Sequence, residues 1–190
     1  PDYASLSEEI VRQGHVWVGV SAQYIGIAGG PVLVPAPGAA SFAGKGLVAL
    51  NPERYGSLSH PGDGYAFDIF TQVARAVRAG GDPLGGRAPD VLLAAGESQS
   101  AVALTTYYDG VQPLTREFDG FLVHSRVFAA LPLVDPGQSA DLVRAITTSP
   151  APVLLRGDQE APVLDLQSES DVVGVLNSSA ARQDDTATFR

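Results

Sequence analysis

The chain has 190 residues, is 45% hydrophobic and carries 12 basic against 21 acidic side chains, a formal net charge of −9. That length and apolar content suit one domain around a single core, and the acidic balance excludes nucleic acid, whose phosphate backbone needs clustered Lys and Arg. With no Cys, disulfides, thiolate metal sites and cysteine nucleophiles are excluded, while the compartment, cytoplasmic or secreted, stays open.

Taken in chain order, Tyr3, Leu6 and Ile10 fall at helical spacing opposite Glu8, Glu9 and Arg12, which predicts a helix over 3–13 stopped by Gly14. The run His15-Val16-Trp17-Val18-Gly19-Val20 suits a strand buried on both faces of a parallel sheet. From Ser21 to Gly62 the chain is crowded with Gly and Pro and reads as loop, with a short excursion around Val32 to Val34. Asp63 is placed to cap a helix over 65–79, in which Phe67, Phe70, Val73, Ala74 and Val77 share a side. Asp90 to Ala95 reads as the next buried strand, followed by a helix from near Ser98 to Tyr108 that Asp109-Gly110 turns. Strands are expected over 118–124 and 163–167, and 177–185 reads as loop or short helix. No run is long and apolar enough to span a membrane, and residues 1–5 lack signal-peptide character, so no membrane partner is expected.

Alternation of helix and strand predicts an α/β fold: a doubly wound, mostly parallel sheet with helices on both faces. Ligands of such sheets sit beyond the carboxyl ends of the strands. Gly96-Glu97-Ser98-Gln99-Ser100 occupies that position. At a strand-turn-helix hinge the apical residue is forced toward strained backbone angles, and its neighbours two residues away must be small because strand and helix pass close together. Gly96 and Ser100 meet that demand. Ser98 is thereby a candidate nucleophile, and the backbone N–H of Gln99 a candidate oxyanion donor. The alternative is a serine that caps the helix.

The sequence resembles the α/β-hydrolase fold, and more narrowly a family of long bacterial α/β-hydrolase-domain proteins. The resemblance rests on Gly14 to Gln23, Asn51-Pro52-Glu53-Arg54-Tyr55-Gly56, His60-Pro61-Gly62-Asp63, Phe67-Asp68-Ile69-Phe70, the Gly96 to Ser100 hinge and Gln167-Ser168-Glu169-Ser170-Asp171. It implies a serine hydrolase acting on a small ester-like substrate, with 15–20 as strand 4, the hinge after strand 5, strands 6 and 7 at 118–124 and 163–167, and a cap insertion over 127–160 between them. It also implies the order serine, acid, histidine, which makes Asp171 the triad acid and Glu169 the alternative. His15 lies at the amino edge of the sheet, away from any site. His60 and His124 are candidates for lining the pocket, and neither follows the acid as a catalytic base of this fold does. The absence of Met, the opening Pro1 and the unclosed Thr188-Phe189-Arg190 read as an interior piece of a longer protein. The resemblance implies a catalytic histidine in a loop beyond a further strand and one oxyanion N–H from a loop before the first helix, both outside the chain.

Neither cofactor nor metal is expected. Gly80-Gly81 and Gly85-Gly86 follow a helix and precede a strand, the reverse of a phosphate-binding loop, and no histidine has a second ligand at helical spacing. The rival function is a hydrolase-like scaffold that binds a ligand or protein without catalysis. The oligomeric state is left open by the sequence.

Overall fold

A computed structural model describes residues 2–31, 43–174 and 176–190; the expected excursion at Val32 to Val34 lies outside them. Three parallel strands, β1 (Leu93–Glu97), β2 (Gly120–His124) and β3 (Val163–Leu166), form a sheet in the order β1-β2-β3. Leu93 pairs with Gly120 and Glu97 with His124, while Phe121 pairs with Val163 and His124 with Leu166. The outer edge of β3 is extended by the chain's last residues, since Val163 N–H donates to Thr188 O (2.8 Å) and Arg190 N–H to Val163 O (3.1 Å). The outer edge of β1 has no strand beside it among the described residues.

Burial alternates along the strands. Ala94, Gly96, Phe121, Val123 and Val163 are buried, whereas Leu93, Leu164 and Leu166 are exposed. The buried face meets α5 (Ala66–Arg78) and α6 (Gln99–Thr106) through an aromatic cluster. In it Phe70 stacks on Phe118 (5.0 Å between centroids) and Tyr108 meets Phe121 edge-on (4.9 Å), contacts each worth about 0.5–1.5 kcal/mol beyond area burial. The Tyr108 hydroxyl donates to Ala161 O (3.1 Å), and burial pushes its phenol up to about 12, so it remains a donor at any physiological pH. The opposite face is thinly covered. Helix α1 (Asp2–Arg12) forms where its periodicity predicts and reaches that face at His124, but buries none of its residues.

Several sequence expectations are corrected. Residues 15–20 form no strand: Val16, Trp17 and Val18 are exposed, and Trp17 packs its ring against Tyr3 of α1 at 5.6 Å. An apolar β-branched run becomes a strand only where a neighbour takes its backbone hydrogen bonds, and none does among the described residues. The Gly/Pro-rich stretch is not all loop, because α2 (Tyr24–Ala28), α3 (Leu47–Leu50) and α4 (Pro52–Tyr55) interrupt it. Asn51 caps α4 by accepting from Arg54 N–H (3.1 Å), and Pro52 occupies the first helical turn, where a missing N–H costs nothing. Asp109-Gly110 does not turn the chain. Helix α6 runs into a π-helical turn (Tyr107–Val111) and then α7 (Gln112–Thr115), which ends at Arg116 in left-handed geometry. Pro113 has no N–H to give the Asp109 carbonyl four residues earlier, and the Arg156 guanidinium donates to that carbonyl instead (3.2 Å).

Asp63 does not cap its helix either. A single-turn 3-10 helix (Asp63–Tyr65) precedes α5, and the buried Asp63 carboxylate accepts from Tyr24 N–H (2.6 Å) and Ala140 N–H (2.8 Å), fastening segments 39 and 77 residues away. Between β2 and β3 the chain is irregular apart from α8 (Leu142–Thr148). Val127, Ala129 and Leu131 pack on Val102 of α6 as a second core.

Arg126, almost fully buried, joins these parts. Its Nε donates to Asp165 Oδ2 (2.7 Å), Nη1 to Val153 O (2.9 Å) and Nη2 to Ala181 O (3.3 Å). Removing one partner of a buried ion pair strands the other. Arg126→Met is therefore expected to lower unfolding free energy by about 3–5 kcal/mol in urea titration, with the double change Arg126→Met, Asp165→Leu recovering part of the loss; equal losses for single and double variants would show that the pair is not what matters.

Candidate functional site

The carboxyl ends of the strands carry three serines in succession. β1 leads directly into α6 at Ser98, whose φ of 56° and ψ of −121° put it in a region that L-residues avoid. Gly96 makes the bend feasible: a Cβ there would stand 2.7 Å from Ser100 O and 2.8 Å from Ser100 C. The close approach involves the backbone of Ser100, whose own side chain is exposed. Ser98 is exposed as well, and its hydroxyl does not cap α6. Its backbone N–H donates to His124 O across the strand ends (3.0 Å), and its carbonyl accepts from Val102 N–H (3.1 Å). The N–H of Gln99, first residue of α6, meets no acceptor among the described residues, so it remains available at the positive end of that helix.

β2 ends the same way. Ser125 also has positive φ (55°), and its N–H donates to Leu166 O of β3 (2.9 Å). Its hydroxyl donates to Asp171 Oδ2 (2.8 Å), and the same oxygen accepts from Ser168 N–H (2.8 Å). Asp171 is the third residue of α9 (Glu169–Val173), where it and the N-terminal Ser168 cap each other reciprocally. It is buried, and although desolvation is the largest influence on its carboxyl and pushes it up, the bonds from Ser168 and Ser125 and the nearby His124 together hold it below the ordinary carboxylate value. Glu169 is exposed on the same helix. No hydrogen bond joins Asp171 to Ser98 among the described residues.

The imidazoles are placed elsewhere. Both ring nitrogens of His60 are occupied: Nε2 donates to Ala22 O (2.9 Å) and Nδ1 accepts from Gly62 N–H (3.1 Å). His124 pairs through Nδ1 with Asp2 Oδ1 of α1 (2.8 Å). His15 is exposed beyond the end of α1. Beside the hinge lies a cavity of about 450 Å³, lined by Glu97, Gln99 and Ser100 but by none of the histidines. Among the described residues no group of His, Asp and Glu side chains is arranged to hold a metal ion, and no helix is long and apolar enough to cross a membrane.

A strand, a left-handed serine and a helix in immediate succession, on a parallel sheet, agree with a family match: the model of an alpha/beta hydrolase domain covers residues 1–190. The chain belongs to the alpha/beta hydrolase domain family. No curated protein and no solved structure matches it. Family membership points to hydrolase chemistry, and the three-stranded parallel sheet with its helices is an incomplete version of an α/β architecture.

Sequence patterns single out Ser98, Gln99 and Asp171 in this hydrolase-family chain but not Ser125. Its only advance signal is its place immediately after a strand, the position Ser98 holds one strand earlier. Because Asp171 titrates below its ordinary value when folded, its contribution to stability is full above about pH 4 and is lost as pH falls through the lowered folded value. Ser125→Ala removes one donor and is expected to move the Asp171 titration upward, as read by carbon NMR of the side-chain carboxyl. An unmoved titration would show that the Ser125 bond does not hold the charge.

Proposed function

We propose that the chain is the nucleophile-bearing part of a serine hydrolase that transfers an ester-type acyl group to water. Ser98 Oγ attacks the carbonyl carbon, and the Gln99 N–H donates to the oxygen as charge gathers there. The alcohol then leaves and water releases the acyl group. The observation that carries this reading is Ser98 itself, an exposed hydroxyl in strained left-handed backbone between a strand and a helix whose first N–H is unengaged. A serine placed for capping would bond the helix it precedes through its hydroxyl, and this one does not.

Asp171 serves as the acid that orients an imidazole. Two donors fix its Oδ2, whereas Glu169 has no comparable support. The base comes from outside the chain, since His60 is committed at both nitrogens, His15 is exposed beyond the end of α1, and none of the three histidines lines the cavity beside the hinge. Residues 127–160 form the cap between β2 and β3. On this account the 190 residues are nearly inactive alone, because an unassisted serine hydroxyl is a poor nucleophile near neutral pH.

A fluorophosphonate probe tests the reading, applied to this chain and to a form extended at both ends. Slow labelling of the short form, rapid labelling of the long form at Ser98, and none in Ser98→Ala are expected. Failure of the long form to label would favour a noncatalytic binding scaffold, and rapid labelling of the short form would place the base within these residues.

A further inference from the structure

The cavity beside the hinge is lined by Ala95 and Gly96 of β1, by the irregular run from Trp17 to Gln23, and by Phe67 and Phe70 of α5 with Leu104 and Tyr107. Residues 127–160 contribute nothing to it; Val127, Ala129 and Leu131 pack in the second core instead. A volume near 450 Å³ falls within the range of about 300–1,000 Å³ that small-molecule sites occupy.

The lining also says what kind of molecule fits. Four aromatic side chains take part: Trp17, Phe67, Phe70 and Tyr107. Phe70 stands edge-on to Tyr107 (5.3 Å, 89°), and the Tyr107 hydroxyl is already bonded to Thr71 Oγ1 (2.9 Å) and Thr115 Oγ1 (3.3 Å), so the polar end of that buried side chain is engaged within the protein. Aromatic walls favour an aromatic guest by stacked and edge-on contacts. The lining includes the carboxylates Asp2 and Glu97 and neither Lys nor Arg. An anion would therefore be desolvated with no cation to meet it.

We propose that this cavity binds the neutral aryl portion of the substrate ester, holding it along the edge of β1 so that the ester carbonyl lies at the Gln99 N–H. This assignment rests on the hydrolase reading for the carbonyl's fate, but the cavity's preference for an uncharged aromatic ring does not. Ser98 is not itself among the lining residues, but its neighbours Glu97, Gln99 and Ser100 are, so the hinge borders the cavity and joins the site of the ring to the reacting group.

Trp17 is the sole tryptophan and part of the lining, so its emission reports occupancy without any turnover. The 190-residue chain is titrated with N-benzylacetamide, which is neutral, aromatic and not an ester, and in parallel with benzoate and with hexanamide. A saturable change in Trp17 emission with N-benzylacetamide is expected, with binding at least about tenfold weaker for benzoate and for hexanamide. Ala95→Leu, which adds bulk on the β1 side of the lining, is expected to bind about tenfold or more weaker. Ala103→Leu, on the α6 side of the lining, serves as a second filling variant should the first fail to fold. No emission change, equal binding of all three probes, or undiminished binding in a folded filling variant would overturn the proposal. Ser98 labelling without a Trp17 response removes this cavity assignment and keeps the hydrolase reading; a Trp17 response without labelling does the reverse.

Discussion

The close crossing of β1 and α6 at Gly96 constrains everything around the candidate site. A Cβ at that position would collide with the backbone of Ser100, so glycine lets the helix start immediately after the strand. With no connecting loop, the turn is made at one residue, and Ser98 accepts the backbone strain, of the order of 1–3 kcal/mol for such angles. The rest of the sheet holds it there. Its N–H is tied to His124 O of β2 and its carbonyl to α6, and the buried residues of β1 and α6 lock both arms into the core. An exposed hydroxyl beside an unengaged helix N-terminus follows from that geometry.

Buried polar side chains knit the remaining segments to this frame. Asp63 gathers Tyr24, Ala140 and its own loop around one carboxylate, setting the long Gly/Pro-rich region against the chain between β2 and β3. Arg126 does the same for β3, Val153 and Ala181 from the far end of β2. Ser125 brings Asp171 to the strand ends by a single hydroxyl. Irregular chain has no ladder to satisfy its backbone groups, so each of these side chains supplies donors or acceptors that a regular element would have provided.

Local patterns in the sequence are enough for α1, α5, the three strands and the Gly96–Ser98 hinge, because each depends on residues close in the chain: helical spacing in Tyr3 to Arg12, apolar runs at Leu93, Phe121 and Val163, small residues flanking a serine. The roles of Asp63, Ser125 and Arg126 depend on partners up to 77 residues away, and nothing in their own neighbourhoods names those partners. Asp63 before an amphipathic helix looks like a cap, and its carboxylate goes elsewhere. Residues 15–20 show the converse: the run is strand-like in composition, yet a strand needs its backbone bonds taken, and residues 17–20 line a cavity with Ala95 and Gly96 of β1 instead of pairing with that strand.

Unfolding of Ser98→Gly in urea tests the hinge most directly. Glycine adopts positive φ without a steric penalty, so relief of strain is expected to leave the variant as stable as the parent or more stable by about 1 kcal/mol. If Ser98 instead occupied an ordinary helical position, the same change would cost about 1 kcal/mol, and a loss of that size would contradict the account.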